Sequence, residues 1–178
     1  MKKVPFIIFL DIDGVFNCQL FYKERHARYL KDGFTRKNET MAEYHQSEFC
    51  RERISWFNDL VKDIDATVVV SSTWRSDGVE KLQEIFDSVG GTFKVHDVTP
   101  HGGKGTVRGC EIKMWIHDNI TKEEYGINYY DFYKYAIIDD DSDMLYNQRH
   151  NLFLTDNYSG LTPNTCYKIK RFATHETF

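Results

Sequence analysis

Two carboxylates stand close together at the end of an apolar run near the start of the sequence. Asp11 and Asp13 follow residues 4–10, and Gly14 comes directly after them. In extended backbone, side chains two residues apart point the same way, so the two charges repel unless a cation or a shared proton compensates them. Oxygen ligands of this kind favour Mg²⁺. One carboxylate of such a pair can attack phosphorus while the other moves the proton; the alternative is a turn with capping aspartates.

A hydroxyl-rich cluster follows a second apolar run. Residues 67–70 lead into Ser71, Ser72 and Thr73, and Arg75 comes shortly afterwards. Hydroxyls and backbone amides at the end of a strand can bind phosphate oxygens, although a serine or threonine that caps the next helix explains the same pattern. Arg75 is expected either to contact phosphate or to form a surface ion pair.

An acidic cluster follows a third apolar run, residues 135–138. Asp139, Asp140, Asp141 and Asp143 supply four acids within five residues. Such a density of carboxylates at the end of a buried strand is costly without a cation, so the cluster predicts metal ligands. A solvated acidic loop is the alternative.

A basic residue must balance the charge of a bound phosphate and of its transition state. Arg108 and Lys104 both precede a predicted helix at 109–117, whose N-terminus adds a favourable partial charge. Arg108 is the preferred candidate because it stands directly at the start of that helix, and Lys104 is the second choice.

The elements that would position these clusters alternate between strands and helices. The predicted strands are residues 4–10, 67–70, 92–95 and 135–138, with a further one at 152–154; the predicted helices are 50–62, 79–89 and 109–117. This alternation indicates an α/β fold with a parallel sheet. Ligands bind at the carboxyl ends of the strands in such a sheet. All the polar clusters fall there, so we expect them to converge on one site.

Residues 16–49 do not fit the alternation, and we expect them to form an insertion over the site. They are too few for a separate domain, and long loops often serve as lids or binding loops; a surface excursion is the alternative. Aromatic side chains there could stack bases and basic ones could meet phosphates, with a solvated charged face as the alternative. The candidates for stacking are Phe21, Tyr22, Tyr29, Phe34 and Tyr44, and those for phosphate contact are Lys23, Arg25, Arg28, Lys31, Arg36 and Lys37.

Composition narrows the classes of function. The chain has 178 residues, 41% hydrophobic and 28% charged, which is typical of a globular protein and predicts one domain over residues 1–178. Its apolar runs are shorter than a membrane span and no leader peptide is recognised, so we expect a cytoplasmic protein without membrane contact. The net charge of −4 argues against the coating of duplex DNA but leaves a nucleic-acid end as a substrate.

Three other kinds of site are excluded by residue spacing. In an EF-hand loop that begins at Asp11, Gly14 would fall at position four rather than six, and Tyr22 would take the place of the final glutamate. Residues 102–106 lack the serine or threonine that follows the lysine of a P-loop. The cysteines form no Cys-x-x-Cys pair and are expected to be reduced thiols. They are Cys18, Cys50, Cys110 and Cys166.

The polar clusters, in their order along the chain, resemble the motifs of the haloacid dehalogenase (HAD) superfamily of phosphotransferases over residues 4–144. The matching strings are Asp11-Ile12-Asp13-Gly14-Val15, Val68-Val69-Val70-Ser71, Arg108-Gly109-Cys110-Glu111-Ile112, and Ile137-Ile138-Asp139-Asp140 with Asp143. Shorter words resemble one branch, the HAD domains associated with Swiss Army Knife RNA-repair proteins. These words are Ser72-Thr73-Trp74-Arg75, Thr99-Pro100, the Arg-Gly-x-Glu-Ile-x-x-Trp run that ends at Trp115, and Gly160-Leu161-Thr162.

The resemblance implies a HAD-like Rossmannoid three-layer fold with a central parallel sheet and a small cap insertion at residues 16–49. It implies that Asp11 is the nucleophile and a Mg²⁺ ligand. Asp13 would be the general acid/base and would give its backbone carbonyl to the metal. Arg108 would stabilise charge in place of the more common lysine, with Lys104 as the other candidate.

The same resemblance assigns the remaining motifs. Ser71 would bind the transferring phosphoryl group, with Ser72 as the alternative if the strand ends one residue later. Asp140 would complete the metal site, with Asp139 as a further ligand and Asp143 as support. The additional substrate-binding candidates are Ser72, Thr73, Arg75 and Lys104.

The expected function is Mg²⁺-dependent hydrolysis of a phosphomonoester through an aspartyl-phosphate, with nucleic-acid ends as one substrate class. A phosphatase of nucleotides or other small molecules is the alternative. A metal- or phosphate-binding module without turnover is the non-enzymatic alternative. A phosphorylated substrate is the one partner that the sequence indicates, and no obligate protein partner is evident from it.

Overall fold

A parallel sheet forms the centre of the protein, whose computed structural model describes residues 2–32 and 40–174. The strands lie in the order β3-β2-β1-β4-β5, and every pairing is parallel. The strands are β1 (Phe6–Leu10), β2 (Ala66–Val70), β3 (Val95–Val98), β4 (Tyr135–Asp139) and β5 (Leu152–Leu154). The helices are α1 (Gln19–Asp32), α2 (Met41–Glu48), α3 (Arg51–Ile64), α4 (Gly78–Ser88), α5 (Arg108–Asn119), α6 (Lys122–Tyr125) and α7 (Pro163–Thr174). The predicted α/β fold with a parallel sheet is confirmed.

Helices cover both faces of the sheet, which makes the three layers that were expected. Alternate residues of a strand point to opposite faces. Ile8 of β1 packs into a core with α3, α4 and α7, and its neighbour Phe9 packs into a second core with α5. Both residues are fully buried, which explains why β1 is apolar throughout rather than alternating.

The third strand lies three residues later than the sequence predicts. Side chains of neighbouring helices hold the predicted segment: Asn58 accepts the backbone N–H of Thr92 at 2.8 Å, and Gln83 donates to the carbonyl of Phe93 at 3.1 Å. The pairing with β2 therefore begins only at Val95. Helix α7 was not predicted. It packs on α3 and buries Ile169 in the core.

The predicted insertion, residues 16–49, contains α1 and α2. Phe34, Arg36 and Lys37 lie outside the described residues. The base of α1 is held by the loop after β5, because the backbone N–H groups of Gln19 and Leu20 donate to the carbonyls of Asn157 and Tyr158 at 3.1 and 2.9 Å.

The start of α2 has a capping box between Thr40 and Glu43, a pairing that satisfies two orphan N–H groups reciprocally. All four cysteines are free, as expected. Within the described ranges, no helix combines the length and the apolar composition that crossing a membrane requires.

Candidate active site

The carboxyl ends of β1, β2 and β4 bring the polar clusters together. The backbone hydrogen bonds of the sheet continue one residue past the strands: Asp11 N–H donates to Ile138, and Ser71 N–H donates to Leu10, both at 2.9 Å. Asp139 is the last residue of β4. Because parallel strands end at one edge, the three clusters lie side by side.

Arg108 connects all three of these strand ends. Its guanidinium donates to Asp11 Oδ1 at 2.8 Å and lies 3.3 Å from Asp139 Oδ2, and it also donates to the carbonyl of Ser71. Arg108 is the first residue of α5, and its backbone N–H donates to Asp143 Oδ2 at 3.1 Å. An acid at a helix N-terminus is favourable, so Asp143 fixes the start of the helix that carries the arginine.

The carboxylates at this edge outnumber the cation that faces them. Oxygens of Asp11, Asp139 and Asp140 lie within 4.8 Å of one another. Burial raises the pKa of Asp139 to about 7, and the nearby charge of Asp11 adds to the effect. Burial also raises the pKa of Asp11, against the opposing effect of Arg108, and it raises the pKa of Asp140. One guanidinium leaves this group with excess negative charge.

These residues fit a divalent metal ion. Asp139 Oδ2 is buried and has no hydrogen-bond donor within the described part of the chain. All the ligand atoms are carboxylate oxygens, a set that suits Mg²⁺. Asp140 lies over Gly14, where a Cβ would meet its carboxyl carbon at 2.2 Å, so a residue without a side chain is needed there.

Asp13 is held apart from the other carboxylates. Its exposed side chain accepts one hydrogen bond on each oxygen, from Asn17 Nδ2 at 2.8 Å and from Trp74 Nε1 at 3.1 Å. Asn17 is buried and also accepts the backbone N–H of Gly14 at 3.1 Å. The sequence did not identify Asn17, although its position four residues after Asp13 was visible, and it indicated Trp74 only as part of a motif.

The hydroxyl cluster lies between β2 and a short 3₁₀ helix, Thr73–Asp77. Ser71 is fully buried, and its Oγ has no hydrogen-bond partner among the residues that the structure describes. Ser72 accepts the backbone N–H of Trp74 at 3.5 Å, as the capping alternative requires. A hydrogen bond from Ser72 also lowers the pKa of Asp11, though burial outweighs it. Thr73 is exposed at the start of the 3₁₀ helix.

Arg75 forms a buried ion pair rather than the expected surface pair. Its guanidinium donates to Glu111 Oε2 at 2.7 Å and to the carbonyls of Ser71 and Ser72 at 2.6 and 3.0 Å. These contacts direct it into the protein, not towards a phosphate. Glu111 also accepts the backbone N–H of Gly102 at 3.1 Å. Sequence reasoning missed this pair because Glu111 was read only as part of a motif.

Lys104 lies in the exposed loop between β3 and α5. Thr106 Oγ1 closes this loop on the carbonyl of Gly102 at 2.6 Å, and Gly103 and Gly105 have positive φ angles of 88° and 85°. Arg108 contacts Asp11, whereas Lys104 is exposed on the loop. The geometry therefore favours Arg108 over Lys104 as the cation that faces these carboxylates.

Comparison with protein families places this site in a known context. Residues 7–166 match the family described as the HAD domain in Swiss Army Knife RNA repair proteins. Comparisons with curated proteins and with solved structures gave no match. The matched residues include every candidate site residue and support a hydrolase of the phosphatase type. The match spans most of the sequence, and the chain belongs to the HAD domain family of Swiss Army Knife RNA repair proteins.

Proposed function

We propose that the protein is a Mg²⁺-dependent phosphomonoester hydrolase that works through an aspartyl-phosphate, with Asp11 as the nucleophile. The observation that carries the proposal is the excess of carboxylates around Arg108: Asp11 and Asp139 both contact its guanidinium, and a carboxylate oxygen of Asp140 lies within 4.8 Å of theirs. A structural ion pair needs no such excess, whereas a site for a metal ion and a phosphate does.

Asp11 and Asp13 divide the chemistry between them. An oxygen of Asp11 forms a bond to phosphorus while the bond from phosphorus to the ester oxygen breaks, and Asp13 gives its proton to that leaving oxygen. Asp13 then takes a proton from water, whose oxygen attacks phosphorus. The bond between Asp11 and phosphorus breaks, and inorganic phosphate and the free carboxylate are released.

The surrounding residues orient and neutralise the reacting groups. Arg108, 2.8 Å from Asp11 Oδ1, fixes the rotation of the nucleophile and offsets charge on the phosphoryl group. Ser71, whose buried Oγ is without a partner in the described ranges, binds a phosphoryl oxygen together with Ser72. Asp11, Asp139, Asp140 and the backbone carbonyl of Asp13 would hold Mg²⁺, which when bound offsets the negative charge of the phosphate.

Nucleic-acid ends are the substrate class that we propose. The description of the family supports an RNA context. Lys104 and Lys23 are exposed, and Lys23 Nζ lies 4.8 Å from the ring centroid of Tyr158. Lys23 and Tyr158 therefore offer a positive charge and an aromatic ring, side by side, to a nucleic-acid strand. A phosphatase of mononucleotides is the alternative that the experiment must separate.

Phosphate release from a matched panel tests the proposal. The panel holds p-nitrophenyl phosphate, nucleoside 5′- and 3′-monophosphates, and 5′- and 3′-phosphorylated RNA and DNA oligomers. We expect Asp11→Asn to abolish release and EDTA to stop it, with Asp118→Asn, an exposed aspartate of α5, as the control. Near wild-type activity in Asp11→Asn overturns the covalent mechanism, and activity in EDTA overturns the metal requirement. A preference for mononucleotides over oligomer ends overturns the proposed substrate class.

A further inference from the structure

The carboxylate of Asp13 has one N–H donor on each oxygen. Trp74 Nε1 donates to Oδ2 at 3.1 Å and Asn17 Nδ2 donates to Oδ1 at 2.8 Å. The side chain of Asp13 is otherwise exposed to solvent. Two donors on opposite oxygens fix the rotation of an exposed carboxylate, which would otherwise sample several orientations.

Trp74 is itself held by the core of the protein. Its ring packs edge-on against Phe49, with centroids 5.4 Å apart and planes at 70°. Phe49 is 2% exposed and packs on Phe86 at 5.7 Å. The backbone of Trp74 is also tied to Ser72 Oγ at 3.5 Å. The indole N–H is therefore presented to Asp13 from a rigid support.

Phe49 links this support to the insertion. It is the C-cap residue directly after α2, and its ring also lies 6.4 Å from that of Phe16, where the insertion begins. The two ends of the insertion thus meet at Phe49, whose ring packs against the indole. The placement of α2 and the orientation of Asp13 depend on the same aromatic contacts.

We infer that Trp74 is a positioning residue that orients Asp13 for transfer of a proton to the leaving oxygen, with Phe49 holding the indole in place. The inference rests on the proposed function, in which Asp13 is the general acid. Proton transfer requires a heavy-atom distance of about 2.6–3.2 Å, and a misplacement of about 1 Å lowers a rate about 10²-fold. Loss of the indole N–H frees the carboxylate to rotate away from that geometry.

The demand for a general acid depends on the leaving group, which gives a test. An alkyl alkoxide needs a proton to depart, whereas p-nitrophenolate leaves without one. The value of kcat/KM reports the steps up to departure of the leaving group, so it isolates the acid role of Asp13 from its later role as a base. We therefore compare kcat/KM for β-glycerol phosphate and for p-nitrophenyl phosphate.

In Trp74→Phe, which keeps the ring contact with Phe49, we expect kcat/KM for the alkyl ester to fall about 10–100-fold, and that for p-nitrophenyl phosphate about 3-fold or less. Trp115→Phe is the matched control: it also removes an indole donor, from Asp97 Oδ2 at 2.6 Å, at a position outside the site. The control should not change the ratio of the two values. An equal fall for both esters in Trp74→Phe overturns the inference.

Two further variants separate failure of this inference from failure of the proposed function. If Asp13→Asn shows no leaving-group selectivity, then Asp13 is not the acid and the proposed mechanism fails. If Asp13→Asn is selective and Trp74→Phe is not, only the positioning role fails. In the Asp13→Asn background, Trp74→Phe should add no further selectivity, because the tryptophan acts through that carboxylate.

Phe49→Leu is the second route to the same test, since it removes the ring that supports the indole while keeping the N–H. We expect a selective loss for the alkyl ester that is smaller than that of Trp74→Phe. The circular dichroism spectrum of each variant identifies those that fold. A folded variant of either kind that lacks the selective loss overturns the inference.

Discussion

Two arginines at the same edge of the sheet have opposite surroundings. Arg75 and Arg108 both donate to the carbonyl of Ser71. Arg75 is 7% exposed and meets one carboxylate, Glu111, at 2.7 Å. Arg108 meets Asp11 at 2.8 Å and Asp139 at 3.3 Å.

The difference lies in the balance of charge rather than in its amount. Around Arg75, one guanidinium faces one carboxylate, two carbonyls and a ring nitrogen of His101, so the pair is complete in charge, although Arg75 Nε has no hydrogen-bond partner among the described residues. Around Arg108, carboxylates are in excess, and the pKa of Asp139 is raised to about 7, first by burial and then by Asp11. A complete pair holds elements together, whereas an incomplete one is available for a cation and a substrate.

The largest effect on stability should come from breaking the complete pair. Arg75→Leu leaves the Glu111 carboxylate buried without its partner, and we expect the free energy of unfolding to fall by about 3–5 kcal/mol. Urea denaturation measures it. The double variant Arg75→Leu/Glu111→Leu should recover most of the loss, because it leaves no buried charge. A loss below about 1 kcal/mol in the single variant would contradict the structural role.

Removal of the other arginine should affect catalysis instead. In Arg108→Gln we expect kcat/KM for p-nitrophenyl phosphate, which has no strand to contact, to fall about 10²–10³-fold, the effect of losing one charge-stabilising donor. The free energy of unfolding at pH 6 should change less than in Arg75→Leu, because Asp139 can take up a proton. Lys104→Gln removes the same charge from the nearby loop and is the control. An equal fall in Lys104→Gln would make Lys104 the catalytic cation.

Removal of one excess carboxylate should stabilise the metal-free protein. A pKa of about 7 for folded Asp139, above the usual 3.8, means that the folded state binds its proton more tightly than the unfolded chain does. Stability from this group is therefore present below about pH 4 and is lost as pH rises to about 7. We expect Asp139→Asn to raise the free energy of unfolding in EDTA at pH 8 by about 1–3 kcal/mol.

The same variant at pH 4 supplies the control, since a protonated aspartate and an asparagine carry no charge. Urea denaturation at the two pH values measures the difference. A gain of equal size at both pH values would show that ionisation of Asp139 is not its cause.

The smallest effect, a change in KM for an RNA substrate, should come from an exposed charge outside the groups around Arg75 and Arg108. Lys23→Ala in α1 should raise KM for a 5′-phosphorylated RNA oligomer about 2–5-fold, with no change for p-nitrophenyl phosphate. The effect should weaken as salt rises, because a phosphate contact releases counterions. Lys62→Ala, an exposed lysine of α3, is the control. If KM for the oligomer is unchanged at low salt, Lys23 of α1 does not contact the strand.

The residues around Arg108 could be predicted from the sequence because simple rules of the fold determine their positions. Apolar runs that end in polar residues become parallel strands, and parallel strands end at one edge; Asp11 and Asp139 follow from that rule. Arg108 follows from a second one, that the N-terminus of a helix favours a bound phosphate. The partners of Arg75 and Asp13 could not be predicted in this way. Glu111 and Asn17 act through side-chain directions that depend on the packing of helices and loops, which periodicity does not record.

The same limit explains the misplaced third strand. Residues 92 and 93 are held by Asn58 and Gln83, which lie on the helices α3 and α4, and side-chain bonds of this kind compete with the sheet for the backbone. The insertion was bounded at 16–49 because its composition breaks the alternation. Its helices were not predicted, and its role as a cap remains a prediction.

The loop after β5 has a consequence for the order in which the protein is made. It supplies the carbonyls that receive the first N–H groups of α1, and its Ser159 carbonyl accepts the buried Arg53, 106 residues earlier in the chain. During synthesis, α1 and the strand end that carries Asp11 leave the ribosome long before this loop exists. Such distant contacts slow folding. The half of the site that carries the nucleophile thus acquires its final setting only after the residues up to Ser159 have emerged.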